Sequence, residues 1–196
     1  MPDVAGIVLA AGGSTRMGRA KQLLELDGAP LVRRAALTAL AAGCAPVVVV
    51  LGGSAAEIAP ALPGPGLEIE VNARWQDGMG GSIAAGVARA ERSGAAAVLI
   101  TLADQPLVDA AALRRLLDAW RVSGRPIAAS RYAGTIGVPA CFTRDFFAPL
   151  RALDGARGCK ALLRAHAHEA ALVDCPEAEH DVDTPADYAR LLTTAG

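Results

Sequence analysis

Residues 4–21 read VAGIVLAAGGSTRMGRAK, a short apolar run that leads directly into a glycine-rich loop and ends on a lysine. The run from Val4 to Ala10 is apolar throughout, which is typical of a strand buried on both faces of a parallel sheet. Gly12 and Gly13 follow at the carboxyl end of that strand, where α/β sheets bind their ligands. This stretch therefore predicts the first strand of an α/β sheet with a ligand-binding loop attached.

The same pattern recurs along the chain. Apolar runs at Val47–Leu51 and at residues 96–102 alternate with segments that carry helix-start signals and helical spacing. Because such alternation implies right-handed βαβ crossovers, we expect a three-layer α/β/α sandwich with a Rossmann-like, mostly parallel sheet. Glycines interrupt residues 129–142 and predict a short antiparallel insertion. No linker or repeat divides the sequence, so one domain over residues 1–196 is expected.

The composition is that of a folded protein with little net charge. Of the 196 residues, 53% are hydrophobic and 20% are charged, and the formal net charge is −1. Neither nucleic acid nor a membrane surface is therefore expected as a partner. No apolar run approaches the roughly 20 residues that span a bilayer, and residues 1–4 lack the basic start of a signal peptide. The four cysteines are far apart, which disfavours a zinc site or a disulfide framework and favours the cytoplasm.

The glycine-rich loop has the chemistry of a polyphosphate site. Its glycines allow backbone N–H groups to approach phosphate oxygens, and Arg16 and Lys21 supply positive charge. The loop is not a P-loop, since Arg19 and Ala20 stand where Lys and Ser or Thr are required, and it lacks the GxGxxG dinucleotide pattern. The residues alone leave open a plain strand-to-helix turn with solvated arginines.

Acidic residues farther along the chain suggest a cation site. Asp104 ends a buried apolar run, where a charge is costly unless it meets a cation. A Mg²⁺ ion would satisfy it, since this ion takes one or two carboxylates together with phosphates and water. Asp181 and Asp183 lie in a DVDTPAD segment, where capping of the following helix is the alternative role.

Five segments, in the same order along the chain, resemble one enzyme family. LAAGGSTRMGRAK at residues 9–21 resembles the LAAGxSxRMGxxK signature of nucleotidyltransferases related to the molybdenum cofactor cytidylyltransferase and guanylyltransferase. The other four are residues 72–86 (NARWQDGMGGSIAAG), 102–106 (LADQP), 137–142 and 181–187. The resemblance implies a nucleotide-diphospho-sugar transferase-like fold. It also implies transfer of a nucleotidyl group from a nucleoside triphosphate, with release of pyrophosphate.

The resemblance also implies roles for particular residues. Arg16, Lys21 and Asp104 are the implied catalytic residues, with the two cations neutralising the pyrophosphate that leaves. Asp104 and Asp183 are the implied ligands of Mg²⁺, with Asp181 left open as a further ligand. The residues implied to bind the nucleotide are Leu9, Ala10, Ala11, Gly12, Gly13, Ser14, Arg16, Met17, Gly18, Lys21, Gly80, Ser82 and Asp104.

Three further residue types have predicted roles. Ser82 is implied to face the nucleobase, and the sequence also predicts it as the N-cap of a helix over residues 83–91. Trp75 is expected to pack in the core, and a place on the wall of the pocket is the alternative. His166 and His168 would lie on opposite faces of a helix, which disfavours a shared metal ion.

Ala11 predicts which base is used. Sequences that resemble the cytidylyltransferase read Leu-Ala-Ala-Gly, whereas the guanylyltransferase reads Leu-Ala-Gly-Gly. CTP is therefore expected, with the Ala11 methyl group narrowing the base slot. The implied acceptor is molybdopterin carrying molybdenum, and a recipient molybdoenzyme is a further implied partner.

The chain departs from the family pattern in the half expected to meet the acceptor. It has Gly137-Val138-Pro139 where GHP is common, and GARGCK at residues 155–160 where GDKGAR is common. GTP or another acceptor is therefore an alternative. A nicotinamide-dependent oxidoreductase on a related scaffold is a second alternative, disfavoured by the missing GxGxxG motif. A non-catalytic carrier of the molybdenum cofactor is a third, and it would be expected to lack Lys21 or Asp104.

Overall fold

The computed structural model describes residues 3–155 and 158–194. Ala156 and Arg157, which belong to the departure at residues 155–160, lie outside the described residues, as do residues 1–2 and 195–196. The strands are β1 (Val4–Ala10), β2 (Glu25–Leu26), β3 (Ala29–Pro30), β4 (Val47–Leu51), β5 (Leu67–Val71), β6 (Ala97–Leu102), β7 (Ile127–Tyr132), β8 (Thr135–Thr143) and β9 (Ala170–Asp174). The helices are α1 (Leu31–Ala41), α2 (Ala55–Ile58), α3 (Met79–Arg92), α4 (Ala110–Ser123), α5 (Phe147–Arg151), α6 (Cys159–Ala165) and α7 (Pro185–Thr194).

Seven strands form one sheet in the order β5-β4-β1-β6-β8-β7-β9, and β2 pairs with β3 in a small antiparallel ribbon. Strands β5, β4, β1 and β6 are parallel, whereas β8 runs antiparallel to both of its neighbours. A tight turn at Ala133 and Gly134, both at positive φ, joins β7 to β8. The predicted mostly parallel sheet with a short antiparallel insertion is confirmed.

The sheet is covered on both faces, as its apolar strands require. On one face Val8 of β1 packs in a cluster with Val32 of α1 and Leu113 of α4. On the other face Ile7 packs in a cluster with Ile83 of α3. Successive side chains along each strand thus point to opposite faces of the sheet and pack in two separate cores. This confirms the predicted three-layer sandwich. In the described ranges, no helix is both long enough and apolar enough to span a bilayer.

Helix α3 lies unusually close to the sheet because residue 86 is a glycine. A Cβ atom at Gly86 would come within 2.6 Å of Ile7 Cγ2 and 3.0 Å of Val50 Cγ2. This close packing places the first turn of α3 beside the loop that follows β1, so that both line one cavity.

A third, smaller apolar cluster joins distant parts of the chain. Leu24 and Leu26, near the start of the chain, are buried together with Val182 and Leu191. Their packing holds α7 and the segment before it against the loop that follows β1. The DVDTPAD segment therefore reaches the carboxyl ends of the first strands.

Candidate active site

Two adjoining cavities lie at the carboxyl ends of the parallel strands. The larger has a volume of about 420 Å³, and apolar groups form most of its wall. It is bounded by the loop at residues 9–13, by the first turn of α3, by the end of β6, and by Asp181 and Asp183. We call it the apolar cavity.

The second cavity, which we call the polar cavity, measures about 220 Å³. Its lining comprises residues 12–16, Lys21 and Asp183, and nearly all of it is polar. Gly12, Gly13, Lys21 and Asp183 border both cavities. An apolar compartment thus continues into a compartment lined by backbone and positive charge, an arrangement that suits a nucleoside followed by its phosphates.

The ammonium group of Lys21 joins two carboxylates at this border. Its Nζ atom donates to Asp104 Oδ2 at 2.5 Å and to Asp183 Oδ1 at 2.7 Å. Burial alone would lower the pKa of Lys21, but the two carboxylates more than offset this effect and the pKa is raised. The hydrogen bond from Lys21 in turn lowers the pKa of Asp183. Lys21 and Asp183 are therefore both charged at neutral pH.

Arg16 and Asp181 add two further charged side chains next to the Lys21 ion pairs. Arg16, which is largely exposed, donates through Nη2 to Asp183 Oδ2 at 3.1 Å. Desolvation beside the cavity, together with the charges of Asp104 and Asp183, raises the pKa of Asp181 to about 6. The three carboxylates therefore form a negative centre that two basic side chains partly neutralise.

The carboxylates fit a hard divalent cation that is shared with a ligand. Asp104 and Asp183 already direct oxygens at one positively charged atom, Lys21 Nζ. Mg²⁺ needs only one or two protein carboxylates, because it keeps water and phosphate ligands. Within residues 3–155 and 158–194, no three His, Cys, Asp or Glu side chains converge to hold an ion by themselves. The donor set therefore suits an ion that arrives with phosphates rather than a structural ion.

Helix α7 is capped without the help of Asp183. Asp187 Oδ2 accepts hydrogen bonds from the N–H groups of Asp183 at 3.2 Å and Thr184 at 2.7 Å. The Asp187 N–H group donates back to Thr184 Oγ1 at 3.2 Å, which completes a reciprocal capping box. The side chain of Asp183 is left to bind Lys21 and Arg16. The alternative that Asp183 serves as a helix cap is therefore wrong.

Gln22, which the sequence did not single out, supports the loop from inside. Its side chain is only 3% exposed, and its Nε2 atom donates to the carbonyl oxygens of Ala10 at 2.9 Å and Gly12 at 2.8 Å. Its Oε1 atom accepts from Ser14 Oγ at 3.1 Å, and Ser14 Oγ accepts from the Lys21 N–H group at 3.1 Å. One feature of the sequence could have indicated Gln22, since it is a polar residue directly after Lys21 and directly before the apolar residues Leu23 and Leu24.

Trp75 lines the apolar cavity instead of packing in the core as expected. Its indole ring lies against glycines of two strand-end loops. A Cβ atom would come within 2.7 Å of the ring at Gly13, 2.8 Å at Gly52 and 2.5 Å at Gly53. Three positions without side chains thus make room for the indole, and the ring is half-exposed. The favoured core position was wrong and the pocket wall is where the ring lies, because its contacts join segments that are distant in sequence.

Ser82 lies within α3 and is not its N-cap. The helix begins at Met79, with Gly78 as N-cap at φ 123°, so Ser82 falls at the end of the first turn. Its hydroxyl accepts from Asn72 Nδ2 at 3.0 Å, and Ser82 borders the apolar cavity. The predicted start was wrong because tertiary packing carries the helix through Gly80 and Gly81 despite their low helix propensity.

Most residues predicted to bind the nucleotide border one of the two cavities. Met17 packs instead against the apolar cluster beside α7, and Gly18 forms a turn at φ 69°. Gly80 is buried and donates its N–H group to Gly155 O at 3.1 Å. Those at the cavities are Leu9, Ala10, Ala11, Gly12, Gly13, Ser14, Arg16, Lys21, Ser82 and Asp104.

The histidines and cysteines lie in other environments. His166 Nδ1 is 2.8 Å from Glu169 Oε1, and its ring packs edge-on against Phe146. His168 Nε2 lies 3.4 Å from the same Glu169 oxygen. All four cysteines are buried and free.

Comparison with known families agrees with this geometry. Residues 6–170 match the family profile described as the MobA-like NTP transferase domain. The chain belongs to this family. The predicted family and the predicted nucleotidyltransferase fold are therefore confirmed, because this match spans most of the described sandwich.

Two similar proteins have names that refer to different activities, and a similar solved structure contains manganese. Nicotine blue oxidoreductase of Paenarthrobacter nicotinovorans is 35% identical, with 98% of each chain covered. Molybdenum cofactor guanylyltransferase of Rhodobacter capsulatus is 30% identical, with 84% of this chain and 98% of that protein covered. The structure of Rv0371c from Mycobacterium tuberculosis H37Rv in complex with manganese has a TM-score of 0.81 at 31% identity, covering 98% of this chain and 99% of that one.

Proposed function

We propose that this MobA-like protein, as one cytoplasmic domain of residues 1–196, transfers CMP from CTP to molybdopterin carrying molybdenum. Mg²⁺ would be the cofactor and pyrophosphate the second product. The observation that carries the proposal is the position of Lys21, whose ammonium lies between Asp104 and Asp183 at the border of the apolar and polar cavities. Nucleotidyl transfer needs phosphate-binding cations and metal-binding carboxylates at one point.

The nucleoside and its phosphates would occupy different cavities. The apolar cavity, with Trp75 on its wall, suits a base and ribose. The polar cavity, with Arg16 and the backbone of residues 12–14, suits the β- and γ-phosphates. A triphosphate would draw the side chains of Arg16 and Lys21 from the carboxylates toward its own, more numerous charges. This exchange would leave Asp104 and Asp183 for the metal ion.

Asp104 and Asp183 would hold the Mg²⁺ ion, and Asp181, which borders the same cavity, would be a further ligand or bind the ion through water. The bound ion supplies neutralisation of phosphate charge. The aspartates themselves fix where this neutralisation occurs, directly beside the phosphate-binding loop.

An oxygen of the acceptor phosphate would attack the α-phosphorus in line. A new P–O bond forms as the bond between the α-phosphorus and the oxygen of the leaving pyrophosphate breaks. Lys21 and Arg16 stabilise the negative charge that moves onto the pyrophosphate. Because the acceptor phosphate is already anionic, no side chain has to remove a proton, and catalysis consists of positioning and electrostatic stabilisation.

Ala11 supports CTP as the donor. Its side chain is buried at the wall of the apolar cavity, where a methyl group takes space from the base. The alternative within the family is GTP, in line with the name of the Rhodobacter capsulatus relative.

The proposal is tested by measuring pyrophosphate release with each of the four nucleoside triphosphates. Each reaction is run with and without molybdenum-loaded molybdopterin, and with Mg²⁺ or EDTA. We expect release only when CTP, the loaded pterin and Mg²⁺ are all present. Absence of release with every nucleotide, together with delivery of intact cofactor to a molybdoenzyme, would favour the non-catalytic carrier.

A second candidate function is oxidoreduction, because the relative with 98% coverage is named an oxidoreductase. A titration with NADH and NADPH distinguishes it from nucleotidyl transfer. We expect neither dinucleotide to displace CTP. Tight binding of either dinucleotide in place of CTP would favour the oxidoreductase.

A further inference from the structure

The amide of Gln22 is hydrogen-bonded to the loop through both its nitrogen and its oxygen. Both carbonyl acceptors of its Nε2 atom belong to the loop, and its Oε1 atom is bound by Ser14 Oγ. The side chain is almost fully buried, although it borders the apolar cavity. Its polar atoms therefore act on the loop rather than on the contents of the cavity.

These hydrogen bonds fix the orientation of two peptide groups. In a trans peptide the C=O and N–H groups point in opposite directions. When Gln22 binds the carbonyls of Ala10 and Gly12, it turns the N–H groups of Ala11 and Gly13 to the other side of the loop. The first bound peptide directly precedes Ala11 and the second follows Gly12, so the backbone is restrained both before and after Ala11, and with it the position of the methyl group.

The same network holds a conformation that the chain would otherwise avoid. Ser14 has a φ of 51°, in the left-handed region that non-glycine residues rarely adopt. Its hydroxyl is held from both sides, by Gln22 Oε1 and by the N–H group of Lys21. The turn at Ser14, the peptides around Ala11 and the start of the Lys21 segment therefore form one hydrogen-bonded unit.

We propose that Gln22 is a positioning residue that determines base selectivity by fixing the peptides around Ala11. This inference rests on the proposed function, since it concerns the slot in which that function places the base. Gln22 acts through Ala11 and Ser14 and makes no polar contact with the nucleotide. Loss of its amide loosens the slot for the base but leaves Lys21, Asp104 and Asp183 in place for the chemistry.

Three variants separate the parts of this network. Gln22→Leu removes both donors and the acceptor. Gln22→Glu keeps an acceptor for Ser14 but places an oxygen against the two carbonyls. Ser14→Ala removes the hydroxyl bonds and leaves the two carbonyl bonds. Ser93→Ala is the control, because it removes a serine hydrogen bond to a backbone carbonyl, Ala90 O at 2.8 Å, at the end of α3 that lies away from both cavities.

The experiment measures kcat and KM for CTP and GTP, and the Kd of CTP in the absence of acceptor. With Gln22→Leu we expect KM and Kd for CTP to rise about 10- to 30-fold, with kcat changed less than about 3-fold. The preference for CTP over GTP should narrow by about 10-fold. Gln22→Glu should change KM and Kd in the same direction, Ser14→Ala should show a smaller effect, and Ser93→Ala none.

A loss of folded protein would lower kcat equally for both nucleotides and leave KM and Kd unchanged. That outcome contradicts the inference, as does a preference for CTP that is equal in the wild type and both Gln22 variants. If Gln22→Glu does not fold, Gln22→Leu and Ser14→Ala still decide the matter. A wild-type protein that binds no nucleotide would instead contradict the proposed function itself.

Discussion

The ammonium of Lys21 lies 2.7 Å from the carboxylate of Asp183, although the two residues are 162 positions apart in the chain. The contact forms because the apolar cluster containing Val182 and Leu191 holds the end of the chain against the first loop. The same ammonium contacts Asp104, so a single basic group links three strand-end segments. Because Lys21 occupies both carboxylates, the binding of a divalent cation and the binding of phosphates at this site should depend on each other.

Removal of the Lys21 charge should make stability dependent on a divalent cation. In Lys21→Met, Asp104 and Asp183 lose their shared partner and repel each other, so the free energy of unfolding should fall by roughly 1–2 kcal/mol in EDTA. Millimolar Mg²⁺ or Mn²⁺ should restore most of this loss, because the ion replaces the ammonium between the carboxylates. Urea unfolding with and without metal measures both effects. A loss that metal does not reduce would argue against the carboxylates as ligands.

The two aspartates of the proposed metal site should be needed for turnover, whereas an aspartate far from the site should not. Asp104→Asn and Asp183→Asn should each lower pyrophosphate release at least about 100-fold while the protein stays folded, because each removes a proposed metal ligand. Asp174→Asn is the matched control, since Asp174 is an exposed acid paired with Arg131 at the far edge of the sheet. It should leave turnover unchanged. Activity that survives in Asp104→Asn would exclude its role.

Asp181 should destabilise the metal-free protein at neutral pH. Its pKa is raised from 3.8 to about 6 in the folded state, so the folded protein holds its proton more tightly than the unfolded chain does. The contribution of Asp181 to the free energy of unfolding is therefore favourable below about pH 4, and it is lost as the pH rises through about 6. In EDTA, Asp181→Asn should melt at a higher temperature than the wild type at about pH 7.5 and at the same temperature at about pH 4. The reverse order would contradict the desolvation of Asp181 and its repulsion by Asp104 and Asp183.

Nucleotide binding should change the fluorescence of Trp75. The chain has two tryptophans, and Trp120 is buried in the core whereas Trp75 lines the apolar cavity. Titration of Trp120→Phe with CTP should retain the fluorescence change, and titration of Trp75→Phe should abolish it. A fluorescence change that is kept in Trp75→Phe and lost in Trp120→Phe would indicate that the nucleotide binds outside the apolar cavity.

Ala11→Gly should increase the use of GTP. Removal of the methyl group enlarges the apolar cavity beside the base, so the kcat/KM for GTP should rise about 10-fold relative to that for CTP. An unchanged ratio would show that this position does not select the base.

The fold could be predicted from the sequence because its strands are unambiguous. Val4–Ala10 and Val47–Leu51 are apolar throughout, and the structure gives both strands with these bounds. The antiparallel hairpin also followed from local glycines. The start of α3 did not, because Gly78 at positive φ is the N-cap instead of Ser82, so that the helix already begins at Met79.

The site could be predicted only in part, for a physical reason. Lys21, Asp104 and Asp183 belong to recognisable segments, and the structure brings them together. Gln22 and Trp75 act through contacts with the backbone of other loops, namely two carbonyl groups for Gln22 and three glycine positions for Trp75. Such contacts depend on how the loops meet in space, and periodicity or motif spacing does not reveal them.

In the proposed reaction, the cytidylyl group of CTP, with its α-phosphate, passes to an acceptor at the Lys21–Asp104–Asp183 centre. The most direct test follows CTP radiolabelled at the α-phosphorus, incubated with Mg²⁺ and molybdenum-loaded molybdopterin. We predict that the label moves to the pterin in the wild type, with one pyrophosphate released for each transfer, and stays on CTP in Asp104→Asn. Label that remains on CTP in the wild type would contradict the proposed transfer. Label that moves equally well in Asp104→Asn would contradict the proposed role of this centre.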